Sequence, residues 1–555
     1  MNTYIRSAID TIYRKDDDLI ILGLTGRTGS GCSTVAKILC SSKDEIRHSL
    51  YNGDCPDSNE ERKDRIVRQH FEKTWRPFQL IQVRSVITLF LLEQPIEELL
   101  QQLRQWLSGE SVDFEKIESE IREIKDQIDS FIQSNDDRQK ANYYVHALPK
   151  DSDTLKQLLG ESAFVKLYQI VGKNLRISGH PFKSDLIEGQ FFTLAERVNQ
   201  MIKLIIRTNK DQGQSTLIII DAIRSPLEAI FFQDRYAAFY LVAVSTPDDQ
   251  RKQRLFKQGY ATNDVESIDN EEYKARDWND AAAFSVQDIQ ACLQRADIYV
   301  SNPDEANKVS EFKTLANQLI RFVSLMKHPG LVTPTAVERC MQLAYTAKLN
   351  SGCISRQVGA AVTDENFSVQ AIGWNDVPKG HTPCSLRNRT DLLEGFDQKA
   401  YSEYERKDSG FIAQIKSNNE KYIPIKSTGR NISYCFKGEY NSLTKKPNQV
   451  HTRSLHAEEN AFLQISKYGG GRGVEGGILF TTASPCELCA KKAYQLGIKN
   501  IYYIDPYPGI AISHIIHGGT ANPKMHLFSG AIGRAFHRLY TPILAYKDEL
   551  AALAK

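Results

Sequence analysis

The residues whose spacing carries the most chemistry are His456-Ala457-Glu458 and, thirty residues on, Pro485-Cys486-Glu487-Leu488-Cys489. One imidazole and two thiolates fill three corners of a tetrahedral zinc ion and leave the fourth open for water, the ligand set of a hydrolytic site. Cys486 and Cys489 are one helical turn apart, so both sulfurs can face one ion. A helix amino terminus with Pro485 at its start favours their thiolate form. Glu458, two residues from His456, need not bind the same ion and can reach its water as a proton shuttle.

A lone C-x-x-C is more often half of a closed structural zinc site or a pair of buried thiols. Closing it would take a further ligand from Cys435, His451, Cys353 or Cys384. Cys353 with Cys384 forms a side expectation of a second, structural zinc. The combination of H-x-E with P-C-x-x-C is the signature of zinc deaminases acting on nucleobases, and it favours the catalytic reading.

A second constellation lies near the amino terminus. Gly26-Arg27-Thr28-Gly29-Ser30-Gly31-Cys32-Ser33-Thr34 fits the phosphate-loop pattern except that Cys32 stands where the lysine belongs. Gly26, Gly29, Ser30, Gly31, Cys32, Ser33 and Thr34 are the candidate nucleotide-binding residues. Backbone amides at a helix amino terminus still cradle phosphate, and Ser33 can still meet Mg2+. Without the lysine, binding is expected and efficient phosphoryl transfer is not. Asp221 is placed as a magnesium-organising acid, and Arg251 with Arg254 as lid arginines. The plainer alternative makes the glycines a tight strand-to-helix turn and the two arginines a solvated helix face. A nucleotide-sensing regulatory domain is the expectation for residues 1 to about 325.

These motifs need elements to hold them. At about 150 residues per domain, 555 residues allow two to four folding units, and the pattern supports two. Hydrophobic residues at 41% and charged residues at 25% permit substantial cores, and a formal charge of +2 excludes a global field for wrapping a polyanion. The apolar run at Leu19–Leu24 is too short for a signal peptide or membrane span, which leads to the expectation of a cytosolic protein whose ten cysteines are thiols or metal ligands. Leu19–Leu24, Thr216–Ile220 and Ala238–Val244 read as parallel strands of an α/β sheet that binds ligands at its carboxyl ends.

Ile117, Ile121, Ile124 and Ile128 share one face of a helical insertion running from Pro95 to about Ser134, or to about 160 at its widest. That face is expected to pack between subunits or against the core. His328-Pro329-Gly330 marks the junction. Beyond it, Thr335–Asn350, Leu455–Ile465 and Cys486–Leu496 read as helices. Val358–Val362 with Ser368–Ile372 reads as a hairpin, and Gly477–Thr482 and Asn500–Ile504 as strands. Arg387–Lys426 reads as an irregular, charged insertion or lid, with Tyr401 and Tyr404 as packing residues.

Over residues 333–544 the chain resembles the deoxycytidylate deaminase branch of the cytidine deaminase superfamily. The resemblance is carried by Met341-Gln342-Leu343-Ala344-Tyr345-Thr346-Ala347, Ser355-Arg356-Gln357-Val358-Gly359-Ala360, Gly373-Trp374-Asn375-Asp376-Val377-Pro378, the H-A-E motif and Thr481 to Cys489, in that order. It implies an α/β/α sandwich with one Zn2+ on His456, Cys486 and Cys489. It also implies that Glu458 moves protons to N3 and to the departing amine, the Ala457 amide contacts the pyrimidine carbonyl, and Asn375 binds the sugar.

The fusion to Gly26–Thr34 is similar to the bacterial anti-phage dCTP/dCMP deaminase family called DcdV or AvcD. That likeness implies a P-loop kinase-like domain over 1–327 and a deaminase domain over 328–555. It further implies a deoxycytidine nucleotide substrate, dCTP depletion during phage infection, silencing by a small inhibitory RNA, and a cytoplasmic homo-oligomer. Two other functions stand against this reading. A polynucleotide cytosine deaminase would need a basic, aromatic-lined channel, which the balanced charge disfavours. A nucleotide-binding switch with a vestigial deaminase fold is disfavoured by the intact metal and proton-transfer residues.

Overall fold

In a computed structural model, described residues are 4, 7–9, 11–13, 18–47, 55–109, 112–133, 136–272, 287–305, 312–446, 448, 450–468, 474–506 and 510–554. The chain divides into two units, residues 1–333 with 529–555, and residues 334–528. The break falls between 333 and 334, six residues beyond the expected 327/328. The expected 328–555 extent of the second domain is corrected further, because residues 529–555 return to the first unit. Gly530–Ala531 pairs antiparallel with Ile298–Ser301, completing a sheet edge there.

The first unit is built on strands β1 (Leu19–Thr25), β2 (Gln79–Gln82), β3 (Thr216–Asp221), β4 (Phe239–Ser245) and β5 (Ile298–Ser301), all parallel to their neighbours. Their order across the sheet is β5-β4-β1-β3-β2. β1, β3 and β4 are almost wholly buried, as near-continuous apolar runs must be when helices cover both faces. The carboxyl ends of β1 and β3 bring the glycine loop and Asp221 together.

The helical insertion forms, with helices at Ile96–Trp106, Phe114–Gln133 and Leu148–Leu159, and it runs on into Glu161–Ser178. Ser134 lies outside the described residues. Ile117, Ile121, Ile124 and Ile128 are all buried within the chain itself, so that face packs against its own unit.

The second unit carries β6 (Gly359–Thr363), β7 (Val369–Trp374), β8 (Ile478–Ala483), β9 (Asn500–Asp505) and β10 (Lys524–Leu527), in the order β10-β9-β8-β6-β7. β6 and β7 form the expected hairpin, β6 runs antiparallel to β8, and β8, β9 and β10 are parallel. The helix Ala336–Ala347 begins at a capping box in which Thr335 and Glu338 satisfy each other's backbone N–H.

The Arg387–Lys426 stretch departs from expectation. It folds into helices at Arg389–Glu394, Glu403–Lys407 and Ser409–Lys426, joined by Phe436–Thr444, around Leu392, Tyr401, Phe411, Ile415 and Tyr434. Its charges deceive because several are internal. Arg387 and Glu405 are fully buried and paired, and Arg389 pairs with Glu439. Tyr401 is buried, with its hydroxyl donating to the Asn388 carbonyl at 2.8 Å, while Tyr404 is half-exposed and meets Phe411 edge-on. Among the described residues no helix is long and apolar enough to cross a membrane.

Candidate active site

Two helix starts and the end of one strand build the site of the second unit. His456 immediately precedes the helix Ala457–Tyr468, and its backbone N–H donates to Glu459 Oε2 at 3.3 Å. That is the capping-box spacing, and Glu459 is itself held by an ion pair to Lys492. Cys486 is the N-cap of the helix Glu487–Gln495 and Cys489 sits in its first turn, so Pro485 falls just outside the helix. The uncapped amides and dipole at that end favour negative sulfur.

The helix carrying Glu458 lies close on β7. A Cβ on Gly373 would run into the Ala457 carbonyl and the Ala461 amide, so only glycine permits this approach. Ala457 is fully buried there.

The ligand atoms converge. Cys486 Sγ is 3.2 Å and Cys489 Sγ 3.4 Å from His456 Nδ1, and all three atoms lie within 4.8 Å of one another. Tetrahedral zinc with bonds of about 2.3 Å to sulfur and 2.0 Å to nitrogen would separate S and N by about 3.5 Å, so both sulfur-to-nitrogen separations are within a few tenths of an ångström of loaded geometry. Electrostatics agree with one proton shared between two sulfurs. Cys486 is drawn down to about 4 by the hydrogen bond with Cys489, with His456 contributing, while that same contact and burial push Cys489 well up. The hydrogen bond to Cys486 raises the imidazole of His456. A dication is the natural partner of such a set.

No fourth ligand-bearing side chain joins this group among the described residues. The side expectation of a zinc on Cys353 and Cys384 finds no comparable cluster there. Cys384 Sγ instead accepts from Arg387 Nη2 at 3.2 Å.

Glu458 is 4% exposed, and burial pushes its carboxyl up. It sits beside the ligand set without belonging to it. Thr481 on β8, fully buried, offers its hydroxyl to the Ala483 carbonyl at 2.8 Å and to Glu458 Oε1 at 3.3 Å. Sequence reasoning gave neither Thr481 nor Glu459 a role. The three-residue step from His456 to Glu459 was a readable signal, while Thr481 depends on a strand register that pairs it with Ala360. Asn375 is buried, with its amide oxygen accepting from Val358 N at 2.6 Å and its NH2 donating to the Arg356 carbonyl at 2.7 Å. One lone pair and one N–H remain for a ligand.

In the first unit the loop joins β1 to the helix Cys32–Cys40. Gly31 is the N-cap at φ 103°, where an L side chain is strained, and no side chain caps the helix. Asn302 Nδ2 and Thr246 Oγ1 both donate to the Ser30 carbonyl, at 3.0 and 2.8 Å, and fix the loop from behind. Ser33 donates to Asp221 at 3.2 Å.

Cys32 is partly exposed, and burial pushes its thiol up to about 12, so a neutral group occupies the position of the missing ammonium. Arg251 does not lie on a solvated helix face. It is 1% exposed and bonds the Thr28 carbonyl, Asp248 and Asp269, bracing the loop. Arg254 pairs with Asp304 and borders the same cavity as the loop.

Residues 334–505 match the model of the cytidine and deoxycytidylate deaminase zinc-binding region. The chain is 27% identical to the deoxycytidylate deaminase of Enterobacteria phage T4 over 178 residues, covering 30% of this chain and 76% of the phage enzyme. It is 26% identical to that of Schizosaccharomyces pombe over 214 residues, covering 36% of this chain and 51% of the yeast protein. The crystal structure of dCMP deaminase from cyanophage S-TIM5 in complex with dCMP and dUMP superposes with a TM-score of 0.22 at 22% identity, covering 36% of this chain and 99% of that one. The carboxy-terminal part of the chain therefore carries a deaminase domain of the cytidine and deoxycytidylate type, an enzyme domain of the hydrolase class.

Proposed function

We propose that the second unit hydrolyses the 4-amino group of deoxycytidine nucleotides, dCMP, dCTP or both, with one zinc held by His456, Cys486 and Cys489. The observation that carries this is a buried carboxylate, Glu458, beside three converging ligand atoms and outside their set. When bound, zinc supplies the Lewis acidity that makes water a nucleophile near neutral pH.

The protein's own residues do the rest. Glu458, its carboxyl raised by burial, takes one proton from the attacking water and delivers it to N3, then takes the second from the new C4 hydroxyl and delivers it to the leaving amine. Atoms balance: water is consumed, the C4–N bond breaks, and ammonia and the uracil nucleotide leave. The Ala457 backbone amide meets the pyrimidine carbonyl, and Asn375 uses its spare donor and lone pair on the sugar. Thr481 orients Glu458 through the 3.3 Å contact.

We further infer that the first unit is a P-loop kinase-like domain that senses a nucleotide, in which Ser33 and Asp221 would hold Mg2+, and does not transfer phosphate. A parallel sheet with the glycine loop at its carboxyl end and a neutral Cys32 in the loop support this. In the full reading, the enzyme drains the dCTP pool in anti-phage defence, as a cytoplasmic homo-oligomer restrained by a small RNA. The fused arrangement of loop and deaminase motifs supports that role.

The test is to incubate the purified chain with dCMP, dCTP, deoxycytidine, CTP and a cytosine-containing oligonucleotide, and to identify uracil products chromatographically. Conversion of the free deoxynucleotides alone is expected. Conversion of the oligonucleotide alone would overturn the substrate assignment.

A further inference from the structure

Cys489 is held within a helix, whereas His456 stands one residue before one, at the end of a segment, 451–456, that belongs to no helix or strand. No ladder of backbone hydrogen bonds fixes the path that delivers the imidazole. On its carboxyl side the helix start holds it, with Asn460 N donating to the His456 carbonyl at 2.8 Å. On its amino side Leu455 N donates to the carbonyl of Asp376, next to Asn375, at 2.8 Å. Two further ties come from the insertion that begins at Arg387. The ring of His451 lies 4.6 Å from that of Tyr440, and Arg453 Nη1 donates to Glu405 Oε2 at 2.6 Å.

Glu405 makes a firm anchor. Its side chain is fully buried, and both oxygens are engaged. Arg387 and the Tyr434 hydroxyl, the latter at 2.8 Å, donate to Oε1, while Arg453 shares Oε2 with the backbone N–H and hydroxyl of Ser402, both at 2.9 Å. Moving this carboxylate would strip a buried charge of its partners, which is strongly unfavourable. Arg453 is therefore pinned at its far end, three residues before the metal ligand.

Only two torsions lie between the His456 backbone and Nδ1, so the ring cannot absorb a shift of the chain without leaving its rotamer. The separations of 3.2 and 3.4 Å from Nδ1 to the two sulfurs thus depend on where the 451–456 segment runs. The Arg453 side chain is 14% exposed and spends its charge on Glu405, so it supports the ligand without touching substrate.

We propose that Arg453 is a positioning residue of the deaminase: through Glu405 it makes the insertion the outer support of His456. The proposal rests on the reading of His456, Cys486 and Cys489 as a zinc site and adds what holds the first of them. The insertion then buttresses the metal site, and its buried ion pairs serve that end.

The test uses the full chain, with zinc affinity measured by competition against a chromophoric chelator and cobalt(II) absorption reporting the ligand geometry. Arg453→Met is expected to weaken zinc binding by about 10–100-fold, the usual cost of losing an outer partner of a ligand, and to shift the cobalt bands. Arg453→Lys keeps a cation for Glu405 and should lie between the parent and Arg453→Met in both readouts. Phe411→Leu loosens the core of the same insertion and serves as the control. It should lower the melting temperature and leave zinc affinity and cobalt bands at the parent values.

Parent-like zinc affinity and cobalt absorption in Arg453→Met, an equal loss in Phe411→Leu, or a lysine variant no better than methionine overturns the positioning role while the zinc site stands. Should Arg453→Met fail to fold, Arg453→Gln takes its place with the same outcomes. A parent chain that binds no zinc in competition with the chelator removes the metal reading and the proposal with it.

Discussion

Replacing Glu458 by Gln separates proton transfer from metal binding, because the carboxylate lies beside the ligand set and not within it. Gln keeps the volume and can still accept from Thr481 Oγ1, but it can neither take up nor release a proton at working pH. A positioned general acid–base contributes about 10²–10⁴-fold to a step. Glu458 serves N3 and the leaving amine in sequence, so only the slower step limits turnover and the two losses do not multiply. A fall in kcat of about 10³–10⁴-fold is expected, or about 4–5.5 kcal/mol of barrier. Zinc per chain, measured by plasma emission, should stay at the parent level. Because burial already disfavours the charged carboxylate, the neutral amide should not lower the melting temperature. Turnover within tenfold of the parent at full zinc occupancy would refute the proton-shuttle argument. Loss of zinc along with the carboxylate would refute the ligand assignment.

Three further perturbations probe the same framework. Chelating the zinc should abolish deamination reversibly and expose one additional fast-reacting thiol to a disulfide reagent, since the metal-free contact with Cys489 holds Cys486 at about 4; unchanged thiol counts would contradict this. Burial alone would raise Asp248, but hydrogen bonds from Lys252 and Arg251 and the charge of Arg27 outweigh it and hold it near 2. A depressed carboxylate stabilises the fold above its ordinary range and stops doing so as pH falls through its folded value. The melting-temperature gap between parent and Asp248→Asn should therefore be widest above about pH 4 and close towards pH 2; a gap constant with pH would count against it. Arg387→Met leaves Glu405 buried with one cation, Arg453, and should cost about 3–5 kcal/mol in denaturant unfolding of the second unit; a loss under about 1 kcal/mol would contradict an internal role for this pair.

Which parts of the molecule could be read from the residues follows from how local their causes are. The strands at Leu19, Thr216 and Phe239 were legible because a doubly covered parallel strand must be apolar at every position, whatever its neighbours. His456, Glu458, Cys486 and Cys489 were legible because helix starts and one-turn spacings are set within a few residues, and geometry then follows once β7 and β8 bring the two starts together.

Burial of charge was not legible. Arg387, Arg389 and Arg251 look in sequence like solvated residues, since nothing nearby in the chain announces that Glu405, Glu439 and Asp269 will meet them inside. The same blindness hid Arg176. Its buried partner Glu228 lies 52 residues away in the chain. The return of residues 529–555 to the first unit belongs to this class too, because a two-residue strand such as Gly530–Ala531 has no pattern of its own and exists only through the edge it pairs with. Non-local satisfaction of buried polar groups is thus the quantity a linear reading misses, and in this protein it decides how the Arg387–Lys426 region folds.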